Sequence, residues 1–77
     1  MAKIKFYESS DLYLSAYLKS QGLKLVNLVR DGRRTTFVFE DVPERQDLIL
    51  CYYNDGKVDV NAFVHALQDL KSGVFNL

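Results

Sequence analysis

The chain has 77 residues and a formal net charge of zero, with 48% hydrophobic and 26% charged residues. This balance is typical of a folded protein and excludes a disordered tail, and the length predicts a single domain over residues 1–77. No apolar run approaches the roughly 18 residues of a membrane span. The first residues also lack the apolar core of a secretion signal. We therefore expect a cytoplasmic protein with no membrane partner.

The cysteine and histidine content restricts how so small a domain can be stabilised. A chain of this length buries only about 60% of its unfolded surface, and such domains often use a disulfide, a metal or a second subunit. Cys51 is the single cysteine and His65 the single histidine. Neither an internal disulfide nor a four-ligand zinc site can form from them. We therefore expect no cofactor and no metal, and we expect a protein partner or a homodimer instead.

A strand and a helix are predicted at the start of the chain. Residues 3–7 alternate apolar and lysine side chains, which predicts a short edge strand with Ile4 and Phe6 on one side. Residues 8–11 predict a helix N-terminus, where a serine hydroxyl accepts a free backbone N–H and an aspartate favours the positive end of the dipole. Gly22 can adopt the left-handed conformation that follows a helix, so the helix is expected to end just before it.

A β-hairpin is predicted around Asp31-Gly32, because this dipeptide tolerates the positive φ values of tight turns. The two strands would cover residues 23–30 and 33–40. A two-residue loop would pair Val26 with Phe37, whereas a loop with a G1 bulge would pair Leu25 with Phe37. In either register Phe37 and Phe39 share one face, and we expect both to point into the core.

Asp41 is predicted to cap the second helix, with Pro43 in the first turn and Glu44 three residues after the cap. The helix would continue to about Asn54. Residues 48–53 form a run of six apolar side chains, so a buried strand is the alternative for that segment. The cap and the polar first turn favour the helix.

The third helix has the clearest pattern. Asp59 would cap it, and Val58 and Phe63 would form a hydrophobic staple around the cap. At 100° per residue its apolar side chains fall within an arc of about 160°. They are Val60, Phe63, Val64, Ala66, Leu67, Leu70 and Val74. Gly73 is expected to end the helix, and residues 74–77 would dock either on this domain or on another protein.

These elements occur in the order β-α-β-β-α-α. The hairpin and the N-terminal edge strand would form a small antiparallel sheet, and the three helices would pack on one of its faces. The sequence therefore predicts a small α+β domain.

Three segments carry a resemblance to a known family. They are Ser10 to Leu18, Thr36 to Asp41, and Tyr52 to Gly56 followed by the helix from Val60. In this order and spacing they resemble a family of short bacterial proteins of unknown function, also seen in phage and mobile-element neighbourhoods. The resemblance covers residues 6–74. The family has no assigned activity or binding residues, so the resemblance implies an accessory protein of bacterial or phage origin rather than a metabolic enzyme.

Catalytic and metal-binding residues are not expected. Cys51 and His65 are the candidate nucleophile and base, yet His65 lies at the centre of the polar face of helix 3. Cys51 lies in an apolar run and is expected to be a small core residue. The carboxylates before helix 2 are explained by their place at a helix N-terminus, where negative charge is favourable. They are Glu40, Asp41, Glu44 and Asp47. We expect a non-enzymatic protein.

The charges are distributed unevenly along the chain. Residues 24–34 carry an excess of three positive charges, and residues 40–59 carry an excess of four negative charges. Arg30, Arg33 and Arg34 would cluster at the tip of the hairpin. A two-stranded ribbon can enter a major groove, and arginine suits contacts to phosphate and guanine. Nucleic-acid binding through these three arginines is therefore the alternative function.

Helix 1 has more apolar surface than one sheet can cover. Its apolar and tyrosine side chains between residues 12 and 18 span about 240° of the circumference. Either the helix is wedged between the sheet and the other helices, which a small domain short of core favours, or part of it faces a partner. Tyrosine is common at interfaces because it combines apolar area with a polar tip. The expected function is a protein-interaction module, and the expected partner-binding residues are Tyr13, Tyr17, Tyr52 and Tyr53.

Overall fold

Three strands and three helices are present in the computed structural model, which describes residues 4–54 and 56–75. In chain order they are β1 (Phe6–Ser9), α1 (Leu12–Ser20), β2 (Leu25–Asp31), β3 (Arg34–Glu40), α2 (Arg45–Asn54) and α3 (Val60–Phe75). The strands form an antiparallel sheet in the order β1-β3-β2. The predicted α+β fold and the predicted element order are both confirmed.

The edge strand β1 begins at Phe6, later than predicted. The side of the strand that faces the core is the one opposite Ile4 and Phe6. Tyr7 faces Phe39 and Ser9 faces Phe37 across the ladder with β3, so the odd-numbered side chains of β1 point towards the core. Phe6 is 59% exposed on the opposite face of the sheet. The apolar side of the predicted strand is therefore its outer side, and residue 3 of that prediction lies outside the described residues.

Helix α1 is capped by Asp11. Its Oδ1 accepts hydrogen bonds from the backbone N–H groups of Tyr13 at 3.0 Å and Leu14 at 3.1 Å. The hydroxyl of Ser9 instead accepts the N–H of Asp11 itself, at 3.2 Å. The cap is thus the aspartate and not a serine. Gly22 follows the helix with a φ of 101°, which confirms the predicted helix end.

The hairpin loop lies one residue further along the chain than predicted. Asp31 pairs with Arg34, so the loop consists of Gly32 and Arg33. Gly32 has a φ of 62°, and a glycine with positive φ at the first of two loop positions is typical of a type II′ turn. Both predicted registers are wrong, because Asp31 keeps a negative φ and remains in the strand instead of sharing the turn with the glycine.

A β-bulge in β2 keeps two leucines on the core side. Leu28 faces Phe37 and Leu25 faces Phe39, with the irregularity between Leu25 and Asn27. Residues three apart in a regular strand point to opposite faces. The extra residue in the bulge corrects this mismatch, so both leucines pack on the core. Phe37 and Phe39 are buried, as predicted.

The middle of α1 is enclosed on all sides. The five consecutive residues Leu14–Leu18 are all buried. Because successive residues are rotated by about 100°, five of them cover the whole circumference of a helix. The surroundings are α3, α2 and β1, all of which contact α1. Helix α1 is therefore wedged between the sheet and the other two helices, which is the arrangement that its wide apolar surface favoured.

Helix α3 buries only part of its predicted apolar stripe. Its cap is as predicted, since Asp59 Oδ2 accepts the N–H of Ala62 at 2.9 Å. Ala66 and Leu70 are buried, whereas Val60 is 72% exposed. At 1.5 Å per residue α1 is about 13 Å long and α3 about 24 Å, so α1 cannot cover the full length of α3.

Gly73 does not end α3, which continues to Phe75. Gly73 packs closely on the sheet, since a Cβ atom at this position would lie 2.6 Å from Leu28 Cδ1 and would displace that methyl group. Val74 then packs against the core. Asn76 and Leu77, the end of the predicted apolar tail, lie outside the described residues.

Candidate partner-binding site

Helix α2 contacts the rest of the domain through one narrow stripe of side chains. Residues 48–53 are helical, so the helix interpretation of this segment is confirmed. Leu48, Ile49 and Tyr52 pack against the core, but no residue among 45–54 is buried. Cys51 is exposed and is not the core residue we expected. The reason is that α1 is the main element against which α2 packs, so most of the circumference of α2 is uncovered.

The start of α2 is fixed by a side-chain cluster and not by the predicted aspartate cap. The carboxylate of Asp41 accepts hydrogen bonds from Arg45 Nε at 3.1 Å and from the N–H of Val42 at 3.0 Å. The Arg45 guanidinium also lies 4.4 Å from the ring centre of Tyr7, which is cation–π geometry. The hydrogen bond from Arg45 is the main reason that the pKa of Asp41 lies below its usual value.

A stack of three tyrosines connects α2 to the core. Tyr17 of α1 is 4% exposed, and its ring centre lies 5.4 Å from that of Tyr52. The ring of Tyr52 meets that of Tyr53 edge-on, with centres 5.1 Å apart and planes at 78°. These distances and tilts are favourable for aromatic pairs. Burial is the largest cause that raises the pKa of both Tyr17 and Tyr52 above the ordinary value of a phenol.

Further exposed apolar and aromatic side chains lie on α1 and α2 around this stack. Tyr53 is 67% exposed and Tyr13 is 55% exposed. Tyr13 is close enough to Tyr52 to affect its pKa. Leu50 is also exposed and lies three residues before Tyr53, on the same side of the helix. We call Tyr13, Leu50, Tyr52 and Tyr53 the tyrosine surface.

Two corrections follow for the residues that the sequence singled out. Tyr17 was expected among the partner-binding residues but is a core residue. It is buried because α2 covers this side of α1, and its ring packs against the ring of Tyr52. Leu50 was missing from the expected site. The signal for it was present in the sequence, because Leu50 and Tyr53 lie opposite the inward stripe of Leu48 and Tyr52 at helical spacing.

The three arginines of the hairpin are exposed but do not form one cluster. Arg30 and Arg34 occupy neighbouring rows of the ladder, and neighbouring rows point to opposite faces of a sheet. Arg34 Nε donates to Ser10 Oγ at 2.9 Å, whereas Arg30 Nε donates to the carbonyl of Gly32 at 3.4 Å. Arg33 lies in the loop itself. The predicted clustering at the tip is therefore wrong for Arg30 and Arg34.

The candidate catalytic and metal-binding groups are dispersed. His65 is exposed on α3, and Cys51 is exposed on α2. Among the residues that the structure describes, no group of three or more histidine, cysteine or carboxylate side chains is placed to hold a metal ion. No helix within residues 4–54 or 56–75 has the length and apolar character needed to cross a membrane.

The fold and the surface define a small α+β domain that presents one exposed tyrosine on α1 and one on α2. The chain belongs to the family described as a domain of unknown function (DUF5659), which matches residues 4–76. This match confirms the resemblance to a family without an assigned activity. No curated protein and no solved structure matches the chain.

Two alanine substitutions distinguish the core tyrosine from the surface tyrosine. Tyr17→Ala is expected to lower the free energy of unfolding by about 3–5 kcal/mol, the cost of removing a buried aromatic side chain. Tyr53→Ala is expected to lower it by about 1 kcal/mol or less, because only the edge contact with Tyr52 is lost. Urea unfolding measures both values. Equal losses would contradict the assignment of Tyr17 to the core and Tyr53 to the surface.

Proposed function

We propose that this domain is a non-enzymatic protein-interaction module, an accessory protein of bacterial or phage origin that acts in the cytoplasm. It binds a protein partner through the tyrosine surface. The observation that carries this proposal is the packing of exposed Tyr53 on half-buried Tyr52, which in turn packs on buried Tyr17. The ring of exposed Tyr53 is therefore already packed against Tyr52 before a partner arrives.

Tyrosines that already pack on one another are well suited to binding. A tyrosine has few rotatable bonds, so it offers a large contact area at a low cost in conformational entropy. Tyrosine is also enriched among the few interface residues that supply most of the binding energy. Because Tyr52 and Tyr53 already pack edge to face, little further ordering is needed on binding, and this favours affinity.

The charge around the tyrosine surface indicates the chemistry of the partner. Residues 41–54, which lead into and form α2, carry three carboxylates against one arginine, an excess of two negative charges. Arg45, the one basic residue of α2, is paired with Asp41. Asp47 is exposed and lies three residues before Leu50, beside the tyrosine surface. The partner segment that fits carries apolar side chains with lysine or arginine next to them, since complementary charge directs association.

Site-specific cross-linking tests this proposal. A photo-reactive benzoylphenylalanine in place of Tyr53 should cross-link to one partner in cells of the natural source, and mass spectrometry identifies that partner. With the purified partner, Tyr53→Ala is expected to weaken binding by about tenfold or more, as for a residue at the centre of an interface. Isothermal titration calorimetry measures the dissociation constants.

Phe6→Ala is the matched control, because Phe6 is an aromatic side chain of similar exposure on the outer face of the sheet. It should bind the partner as tightly as the unmodified protein does. The proposal is wrong if position 53 gives no specific cross-link. It is also wrong if Tyr53→Ala and Phe6→Ala weaken binding equally.

Nucleic-acid binding is the alternative proposal, supported by the exposure of Arg30, Arg33 and Arg34. Replacing all three by alanine should then abolish DNA binding and flatten its dependence on salt, because phosphate contacts release counterions. Fluorescence anisotropy with a labelled duplex at several salt concentrations measures both effects. Lys71→Ala, an exposed change on α3, serves as the control. Unchanged DNA affinity in the triple variant would exclude this alternative.

A further inference from the structure

The outer face of the sheet carries an exposed apolar centre. The helices pack against the face that holds Phe37 and Phe39. On the other face a shallow depression of about 390 Å³ is lined by Phe6, Val26, Asn27 and Val38, with exposed Val29 in the next row. Isolated apolar side chains on a surface need no explanation, but a contiguous group marks an interaction site.

Charged residues are arranged in a regular way at the two ends of this outer face. On β3, Arg34 stands at one end and Glu40 at the other. On β2 the signs are reversed, because Asp31 pairs with Arg34 and the N–H of Glu40 donates to the carbonyl of Lys24. Lys24 precedes the inward Leu25, so its side chain is on the outer face. Each end of the face therefore has one acidic and one basic residue side by side on β2 and β3, and the exposed carboxylate of Glu8 on β1 lies between the two ends.

We propose that this outer face binds a second copy of the chain, face to face, with the strands of the two sheets running in opposite directions. A two-fold axis between the sheets and perpendicular to the strands gives this arrangement. It places Arg34 of each copy opposite Glu40 of the other, and Lys24 opposite Asp31. Such an interface uses the same patch twice, so each of the two contacts occurs twice.

The charge pattern and the overlap of the two sheets together select this orientation. A two-fold axis parallel to the strands and passing over the central strand β3 would place Arg34 opposite Arg34 and Glu40 opposite Glu40 of the second copy. Like charges across an interface are costly and exclude wrong arrangements. Moving that axis to a line between β2 and β3 would oppose unlike charges, but it would overlap only two of the three strands. In the selected orientation Val26 lies opposite Val29 and Val38 opposite Thr36, so the valines of β2 and β3 are covered. Aligned sheets pack in this way about 10 Å apart.

The size of the face predicts a weak and reversible dimer. Three strands about 4.8 Å apart and roughly six residues long give a face about 14 Å by about 20 Å. This is smaller than the roughly 800 Å² per partner of typical stable interfaces. Association in the micromolar range or weaker is therefore expected. A second copy would add the stabilisation that small domains commonly gain from a second subunit.

Charge exchange between positions 34 and 40 tests the proposal. Sedimentation equilibrium from about 10 µM to about 1 mM should show a monomer–dimer equilibrium for the unmodified protein. Arg34→Glu and Glu40→Arg should each weaken dimerisation at least tenfold, since each places like charges opposite one another. An equimolar mixture of the two variants should dimerise again. In the mixed dimer, every contact between position 34 of one copy and position 40 of the other joins opposite charges.

Three further variants make the outcome decisive. Arg30→Glu changes the net charge by the same amount as Arg34→Glu but lies on the helix-covered face, so it should leave dimerisation unchanged. The double variant Arg34→Glu/Glu40→Arg should dimerise like the unmodified protein, and it replaces the single variants if circular dichroism shows that they do not fold. Tyr53→Ala should have no effect on dimerisation.

The proposal is overturned if the protein is monomeric at about 1 mM, the weak end of measurable affinities. It is equally overturned if Arg34→Glu and Arg30→Glu have the same effect, or if the exchanged pair fails to restore the dimer. A dimer that is lost in Tyr53→Ala would place self-association on the tyrosine surface instead.

Discussion

Residues Leu14–Leu18 of α1 are buried around the whole circumference of the helix. Every side of this segment must therefore be covered by another element. The sheet, α3 and α2 each supply part of the cover. Ser15 and Ala16, both fully buried, allow these elements to approach closely. Within the described residues the hydroxyl of Ser15 has no hydrogen-bond partner. An unpaired buried hydroxyl is costly, and nothing in the packing around Ser15 explains why a serine stands there instead of an alanine.

The elements that cover α1 have one side left for other contacts, and both candidate surfaces lie on such sides. Helix α2 uses a narrow stripe on α1, and its remaining surface carries Tyr53 and Leu50. The sheet uses one face for the core, and its other face carries Phe6, the valines and the charged ends. Tyr52 connects the core and the surface directly, because it packs on buried Tyr17 and supports an exposed neighbour. The packing that encloses α1 therefore determines which side chains of α2 and of the sheet remain exposed to partners.

Local signals in the sequence were sufficient for the element order and for several element ends. Gly22 and Asp59 act at the backbone within a few residues of where they stand, so their roles could be predicted. Features that depend on contacts between distant segments could not. The bulge in β2, the burial of Tyr17, the exposure of Cys51 and the passage of α3 through Gly73 all follow from which elements pack together. The tyrosine surface was predicted in part, because helical spacing places its members near one another but does not show which of them is covered.

Amide hydrogen exchange under native conditions tests most directly whether enclosure of α1 organises the domain. The N–H groups of residues 15–18 should exchange only through global unfolding, with the same opening free energy as those of β3. The N–H groups of α2 should exchange through a separate opening of lower free energy, because weakly packed elements open locally. Protection of α2 equal to that of α1, or faster exchange in residues 15–18 than in α2, would contradict this account.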